Sequence, residues 1–190
     1  DLEGAIARRR SHLAQHSNDA YAQRYDSLVS LARTREHTVH PQADALSEAV
    51  SYNAFRLMAI KDEYEVARLY TTGSFKRTLT DTFNTGHKAK ILLAPPLLSP
   101  KDKETGLPKK RAFGLWILSA MSLLKRMKFL RGTALDPFGH TQERRLERAL
   151  RDYYLAQQGI LLERLSPENY AAVLALAKAP RDIKGFGHIK

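Results

Sequence analysis

Apolar residues recur at three- and four-residue intervals through most of the chain, the mark of amphipathic helices. Leu2, Ile6 and Leu13 share one side of a segment over 2–15 that Arg8, Arg9 and Arg10 otherwise crowd. Ser17, Asn18 and Asp19 then offer an N-cap to a run carrying Tyr21, Tyr25, Leu28, Val29 and Ala32. His40-Pro41 interrupts the pattern. From about Asp44, the positions of Leu46, Val50, Leu57, Ile60, Tyr64 and Ala67 predict one long helix that ends near Gly73.

A short helix is expected over 74–83, and the run Ala89–Ala94, bounded by Gly86 and by Pro95-Pro96, reads as a short strand. Phe113, Trp116, Ile117, Ala120, Met121, Leu124 and Met127 form the strongest amphipathic stripe, with Gly132 as its C-terminal stop. Asp136-Pro137-Phe138-Gly139 has turn chemistry. Thr141 should cap a long helix whose apolar face is Leu146, Leu150, Tyr153, Ile160 and Leu161. Ser166-Pro167-Glu168 should open the last helix, which stops before Pro180. The expected fold is mainly α: about six helices around one core, with at most a short β element near residues 89–94. Residues 1–190 are read as a single helical domain, 1–42 as an N-terminal helical extension, and 99–111 as a basic flexible loop.

Charge sharpens this picture. The net charge is +11, and residues 73–135 hold 13 Lys/Arg against 3 Asp/Glu, so the middle third carries nearly all of the excess. Such a field favours an anionic partner: nucleic acid, a phosphate-bearing cofactor, an acidic protein or an acidic neighbouring domain. The best electrostatic candidate is the loop from Ser99 to Arg111, with Lys101, Lys103, Lys109, Lys110 and Arg111, although a basic loop can also simply keep a surface solvated.

The absence of cysteine excludes disulfides, thiolate zinc sites, cysteine nucleophiles and cysteine-held iron–sulfur clusters within these residues, and it suits the cytosol. The longest apolar stretch, Phe113 to Leu124, is too short to span a bilayer, and residues 1–20 lack a signal-peptide core, so a soluble protein is expected. The chain opens on Asp1 without methionine and closes just past a glycine turn, and is read as a C-terminal fragment of a larger chain.

No residue group stands out as catalytic. His12 and His16 have a spacing that can place two imidazoles on one metal ion, yet nothing completes the set, and surface histidines are the expected state; His37 and His40 are read alike. Asp62, Glu63 and Glu65 beside Lys61 and Arg68 could serve acid–base chemistry, but helix-surface pairs such as Lys61 with Glu65 explain them better. Gly185-Phe186-Gly187 lacks the spacing of a phosphate loop. Tyr153 and Tyr154 lie among Arg144, Arg145, Arg148 and Arg151, where aromatics could stack on bases; the commoner arrangement buries one tyrosine and leaves the arginines outside. No phosphate-loop, nucleophile-elbow or paired-histidine metalloprotease motif occurs.

Four stretches carry a resemblance instead. They are MAIKDEYEVARLYT from Met58 to Thr71, LAPPLLS from Leu93 to Ser99, LRGTALDPFGHTQERRLER from Leu130 to Arg148, and the closing IKGFGHIK. Over roughly residues 45–190 the chain resembles the C-terminal region of the fused-chain indolepyruvate ferredoxin oxidoreductases, of the 2-oxoacid:ferredoxin oxidoreductase family. That resemblance implies a parent enzyme that oxidatively decarboxylates arylpyruvates to acyl-CoA with thiamine diphosphate, iron–sulfur clusters and coenzyme A, and reduces ferredoxin. It assigns no catalytic, cofactor-binding or metal-binding residue to this segment. Its implied role is an accessory domain that packs on the catalytic domains of the same chain, with the basic loop touching ferredoxin, the coenzyme A phosphates or another acidic surface. The competing reading is a free-standing basic helical module that binds nucleic acid or an acidic protein.

Overall fold

The computed structural model describes residues 1–82, 90–94 and 109–183. In chain order the elements are α1 (Leu2–His16), α2 (Asp19–Val39), α3 (Ala45–Met58), α4 (Glu63–Thr71), α5 (Gly73–Thr82), β1 (Ile91–Leu93), β2 (Arg111–Phe113), α6 (Ile117–Leu124), α7 (Gln142–Glu163) and α8 (Tyr170–Lys178). Stretches of 3₁₀ helix follow α6 at Lys125–Leu130 and α8 at Ala179–Asp182. The fold is mainly α, as the periodicity predicts.

Where one core was expected, the chain divides into two compact units, residues 1–60 with 140–190 and residues 61–139, and each has its own apolar cluster. In the first unit α2 packs on α1, α3 and α7, and α3 also packs on α7 and α8. Leu13, Tyr25, Val29, Leu46, Val50, Leu57, Leu162 and Val173 share one cluster. Residues 1–42 are therefore not an appendage: α1 and α2 supply a large share of this core. The second unit gathers Ala67, Ile91, Ile117 and Met121, with Tyr70, Phe75 and Phe113 against them. Its sheet is one antiparallel pair in which Ile91, Leu92 and Leu93 face Phe113, Ala112 and Arg111.

The expected caps hold at two helices. Asn18 accepts from Tyr21 N at 2.8 Å, and Thr141 Oγ1 from Arg144 N at 3.3 Å. At α3 the cap comes from elsewhere. Asp44 stands at the N-cap position without a side-chain cap bond, and its carboxylate meets His37 Nε2 at 3.1 Å. Glu36, on α2 and fully buried, takes over: its carboxylate accepts from Leu46 N at 2.8 Å, Ser47 N at 2.7 Å, Ser47 Oγ at 2.5 Å and the Tyr170 hydroxyl at 2.6 Å. A negative charge at a helix N-terminus also faces the positive end of the helix dipole. The Tyr170 hydroxyl is pushed up to about 12 by burial and by its bond to that carboxylate.

Three expected elements differ. The long helix from Asp44 breaks at Ala59, because Asp62 adopts extended backbone and caps a new helix through Glu65 N at 2.8 Å. The Phe113 stripe is not one helix: Phe113 ends β2, Ile117–Leu124 is α-helical, and Met127 lies in 3₁₀ helix. Pairing of residues 111–113 with 91–93 prevails over helical periodicity there. Gly132 does end the run, with φ +76°, a conformation that strains any residue with a Cβ. The last helix begins three residues later than expected, at Tyr170 instead of Pro167. Asn169 accepts from Ser166 N at 2.9 Å and donates to Arg164 O at 2.8 Å, which holds 166–169 as a turn before α8.

The inward face of α7 is also rotated from the expected one. Glu147, Tyr154, Gln158 and Leu162 are buried, whereas Leu146, Tyr153 and Ile160 are exposed. Glu147 tolerates burial because Arg144 Nη1 donates to it at 2.7 Å. Among the described residues no helix is long and apolar enough to cross a membrane.

Candidate functional site

The charged residues of two of the distinctive stretches meet in the second unit. Asp62 and Glu65 come from the start of α4, and Arg131 and Asp136 from the turns that follow the 3₁₀ helix. Expected on a solvated helix face, Asp62 and Glu65 are 5% and 3% exposed, so their charges must be met within the protein. Arg131 supplies a two-pronged partner to Asp62, with Nε to Oδ2 at 2.5 Å and Nη2 to Oδ1 at 2.9 Å. Arg68 does the same for Glu65, at 2.8 and 2.7 Å. The Arg131 guanidinium also lies 5.5 Å from the centre of the Tyr64 ring.

Tyr64 links this pair to a second carboxylate. Its hydroxyl donates to Asp136 Oδ1 at 3.1 Å, where Phe138 N also donates at 3.1 Å, and Gly132 N donates to Asp136 Oδ2 at 2.8 Å. The DPFG turn is thus wound around its own aspartate. A Cβ at Gly139 would press into that carboxylate, which accounts for the glycine. Burial pushes the Tyr64 hydroxyl well above the usual tyrosine range, and the Asp136 charge adds to it. Burial alone would raise Asp136, but the Gly132 and Phe138 amides and the Tyr64 hydroxyl outweigh it and hold the carboxyl below its ordinary value. Burial, with Arg131 and Arg68 close by, pushes the Lys128 ammonium down.

The Asp136 geometry predicts an acid response. A carboxyl depressed in the folded state contributes stability above its unfolded value, roughly 3.9, and loses it as pH falls through the lower folded value. Urea unfolding followed from about pH 6 to about pH 3 should therefore show a smaller loss of stability in Asp136→Asn than in the parent chain. Equal losses would mean that Asp136 does not supply the acid sensitivity. Asp152, also depressed through Arg151 and Arg24, keeps the slope of the variant above zero.

His16, His12 and His40 each lie against an aromatic ring. His16, expected at the surface, is 1% exposed and meets Ile60 O at 2.9 Å through Nε2, while its ring stacks on Tyr21. His12 stands edge-on to Phe55, and His40 edge-on to Tyr170. Among the described residues no group of three or more His, Asp or Glu is placed to hold a metal ion, and without thiolates the chain does not fit the iron–sulfur clusters of the resembled parent. Of the basic loop, Lys101 and Lys103 lie outside the described residues, as does Gly185-Phe186-Gly187; Lys109 and Lys110 are exposed, and Arg111 is exposed on β2. Tyr154 is the buried member of its pair, with its hydroxyl donating to Ala177 O at 3.0 Å, and Tyr153 is exposed.

A second cluster lies in the first unit, on residues far apart in sequence. Arg9 of α1, Arg56 of α3 and Arg181 beyond α8 bring their guanidinium carbons to 5.5, 5.6 and 5.9 Å from the centre of one ring, Tyr52. With Glu48 these residues line an open cleft of about 580 Å³. Arg9 Nη1 donates to Ser51 Oγ at 2.7 Å; Arg56 donates to Pro180 O at 3.2 Å and to Ile183 O at 2.6 Å. These bonds fix the Arg9 and Arg56 guanidiniums without neutralising them.

A family model matches residues 2–190. The chain belongs to a family of unknown function, DUF6537. Comparison with curated proteins and with solved structures found no match to either. Membership covers both units of this DUF6537 chain, the buried carboxylate network and the arginine cleft alike. The cleft had no signal in the sequence, since residues 9, 52, 56 and 181 share no motif. The network did leave one, in the KDEYEVAR and LRGTALDPFG stretches, but as a resemblance and not as chemistry.

Proposed function

We propose that this chain is an accessory C-terminal domain of an indolepyruvate ferredoxin oxidoreductase, working in the cytoplasm and contributing structure and docking surface but no catalytic group. The parent would carry thiamine diphosphate, iron–sulfur clusters and the coenzyme A site on its other domains. The observation that carries this reading is the use of the distinctive stretches: their Asp62, Glu65 and Asp136 are buried and spent on Arg131, Arg68, Tyr64 and backbone amides. Groups tied in this way hold a fold together; a general acid or base needs a face open to substrate.

Support for docking comes from the surface of the second unit. Leu92, Trp116, Leu123, Phe129 and Leu135 are each 64% exposed or more. Single exposed apolar residues are common, but this many large ones on a 79-residue unit that is also strongly basic suit a surface covered by other domains. Lys101, Lys103, Lys109, Lys110 and Arg111 would then face an acidic neighbour, ferredoxin or a domain of the same chain.

The test is the size of the native polypeptide. Immunoblotting of source extract with an antibody against this chain should give a band several-fold heavier than 21.5 kDa. A band near 21.5 kDa would overturn the accessory-domain reading and leave a free-standing basic protein, whose affinity for nucleic acid should then fall steeply with salt.

A further inference from the structure

We infer that the cleft around Tyr52 binds a small phosphate-bearing ligand, with Arg9, Arg56 and Arg181 as its charge partners. Three like charges gathered around one ring repel one another, and such an arrangement is compensated either by a carboxylate or by a bound anion. The same unit shows the first solution at Tyr21. There Arg24 and Arg151 lie over the ring at 5.9 and 5.7 Å, and Asp152 meets both guanidiniums, at 3.0 Å from Arg24 and at 3.0 and 2.8 Å from Arg151. At Tyr52 no ion pair forms among the described residues; Glu48 lines the cleft without reaching any of the three arginines at ion-pair distance. A bound anion would supply here the countercharge that Asp152 supplies at Tyr21.

The ligand class follows from charge, donors and space. Three guanidiniums and one carboxylate leave a net charge of +2 in the lining, which matches a phosphate dianion or a diphosphate better than a single carboxylate. A guanidinium presents five N–H donors in a planar fork that suits phosphate oxygens. Arg9 spends one of its nitrogens on Ser51 and Arg56 two on Pro180 and Ile183, so donors remain on each, already oriented. A volume of about 580 Å³ is in the range of small-molecule sites. Tyr52, 39% exposed, offers an aromatic edge beside the charges. This site stands independently of the accessory-domain reading.

Isothermal titration of pyrophosphate into the full chain at low salt tests it. Saturable one-site binding is expected, weakened at least about tenfold in Arg9→Gln/Arg181→Gln, with circular dichroism as the check on folding. Glu48→Gln should tighten binding by about threefold, a change of opposite sign that a damaged fold does not produce. Lys109→Gln/Lys110→Gln/Arg111→Gln should leave it within about twofold. The proposal fails if pyrophosphate gives no saturable binding at millimolar concentrations, or if the 109–111 variant loses as much as the cleft variant, which would indicate diffuse charge. It fails equally if a glutamate-rich peptide binds the cleft more tightly than pyrophosphate, making it a contact for an acidic protein.

Discussion

Glu36→Ala is expected to lower the unfolding free energy by about 4 kcal/mol, a large part of the 5–15 kcal/mol typical of a domain. The side chain is fully buried, and four donors converge on it. Truncation leaves the Leu46 and Ser47 amides and the Tyr170 hydroxyl without acceptors, at roughly 1–3 kcal/mol for each buried group that stays unsatisfied. Partial rescue by water and relaxation keeps the total below the sum. The variant removes the cap of α3 and the tie between α2 and the residue that opens α8, so the loss should appear as a lower urea midpoint for the first unit. Tyr170→Phe, which removes only one donor and leaves the amides capped, should cost about 1 kcal/mol. A loss under about 1.5 kcal/mol for Glu36→Ala would mean that Asp44, released from His37, takes over the cap.

In the second unit the largest effect is expected at Asp62. Removing one partner of a buried ion pair leaves the other charged and uncompensated, and Asp62→Ala should cost about 3–5 kcal/mol. Asp62 has two jobs, pairing with Arg131 and capping α4, and two variants separate them. Asp62→Ser keeps a capping oxygen and loses the ion pair, so the difference between Ser and Ala reads the cap, about 1 kcal/mol. The double variant Asp62→Ala/Arg131→Ala should be less destabilised than the two single losses added together, by about 1.5–3 kcal/mol. Additivity within about 0.5 kcal/mol would show that the two side chains do not depend on each other.

The parts of this fold that were legible in the sequence are those that local chemistry decides. Asn18 and Thr141 cap their helices as such residues do, and α2 follows its apolar spacing. What escaped was decided at a distance. Nothing near Asp44 says that a glutamate eight residues earlier will cap α3 in its place. Asp62 reads as one more charge on a helix surface until Arg131, 69 residues away, is brought to it. On α7 the stripe of Leu146, Tyr153 and Ile160 looks like the natural inward face, but Tyr154 and Leu162 are chosen, and Arg144 makes the burial of Glu147 tolerable. The arginine cleft is the extreme case, since its members gain meaning only from their convergence on Tyr52.

The first unit is discontinuous: α1 to α3 are made before the second unit, and α7 and α8 after it. A ribosome adds about 5–20 residues per second, so the 79 residues between the two parts delay completion by roughly ten seconds. During that interval α3 has no partner for the sides that α7 and α8 later cover, and Asn53 waits for the carbonyl of Ala177, 124 positions downstream. Among the described residues the second unit draws its cluster from residues 66–124, and it can close while synthesis continues. Within the first unit the helices translated first are therefore the last to be completed, and the nascent chain presents their apolar faces to chaperones until α7 and α8 emerge.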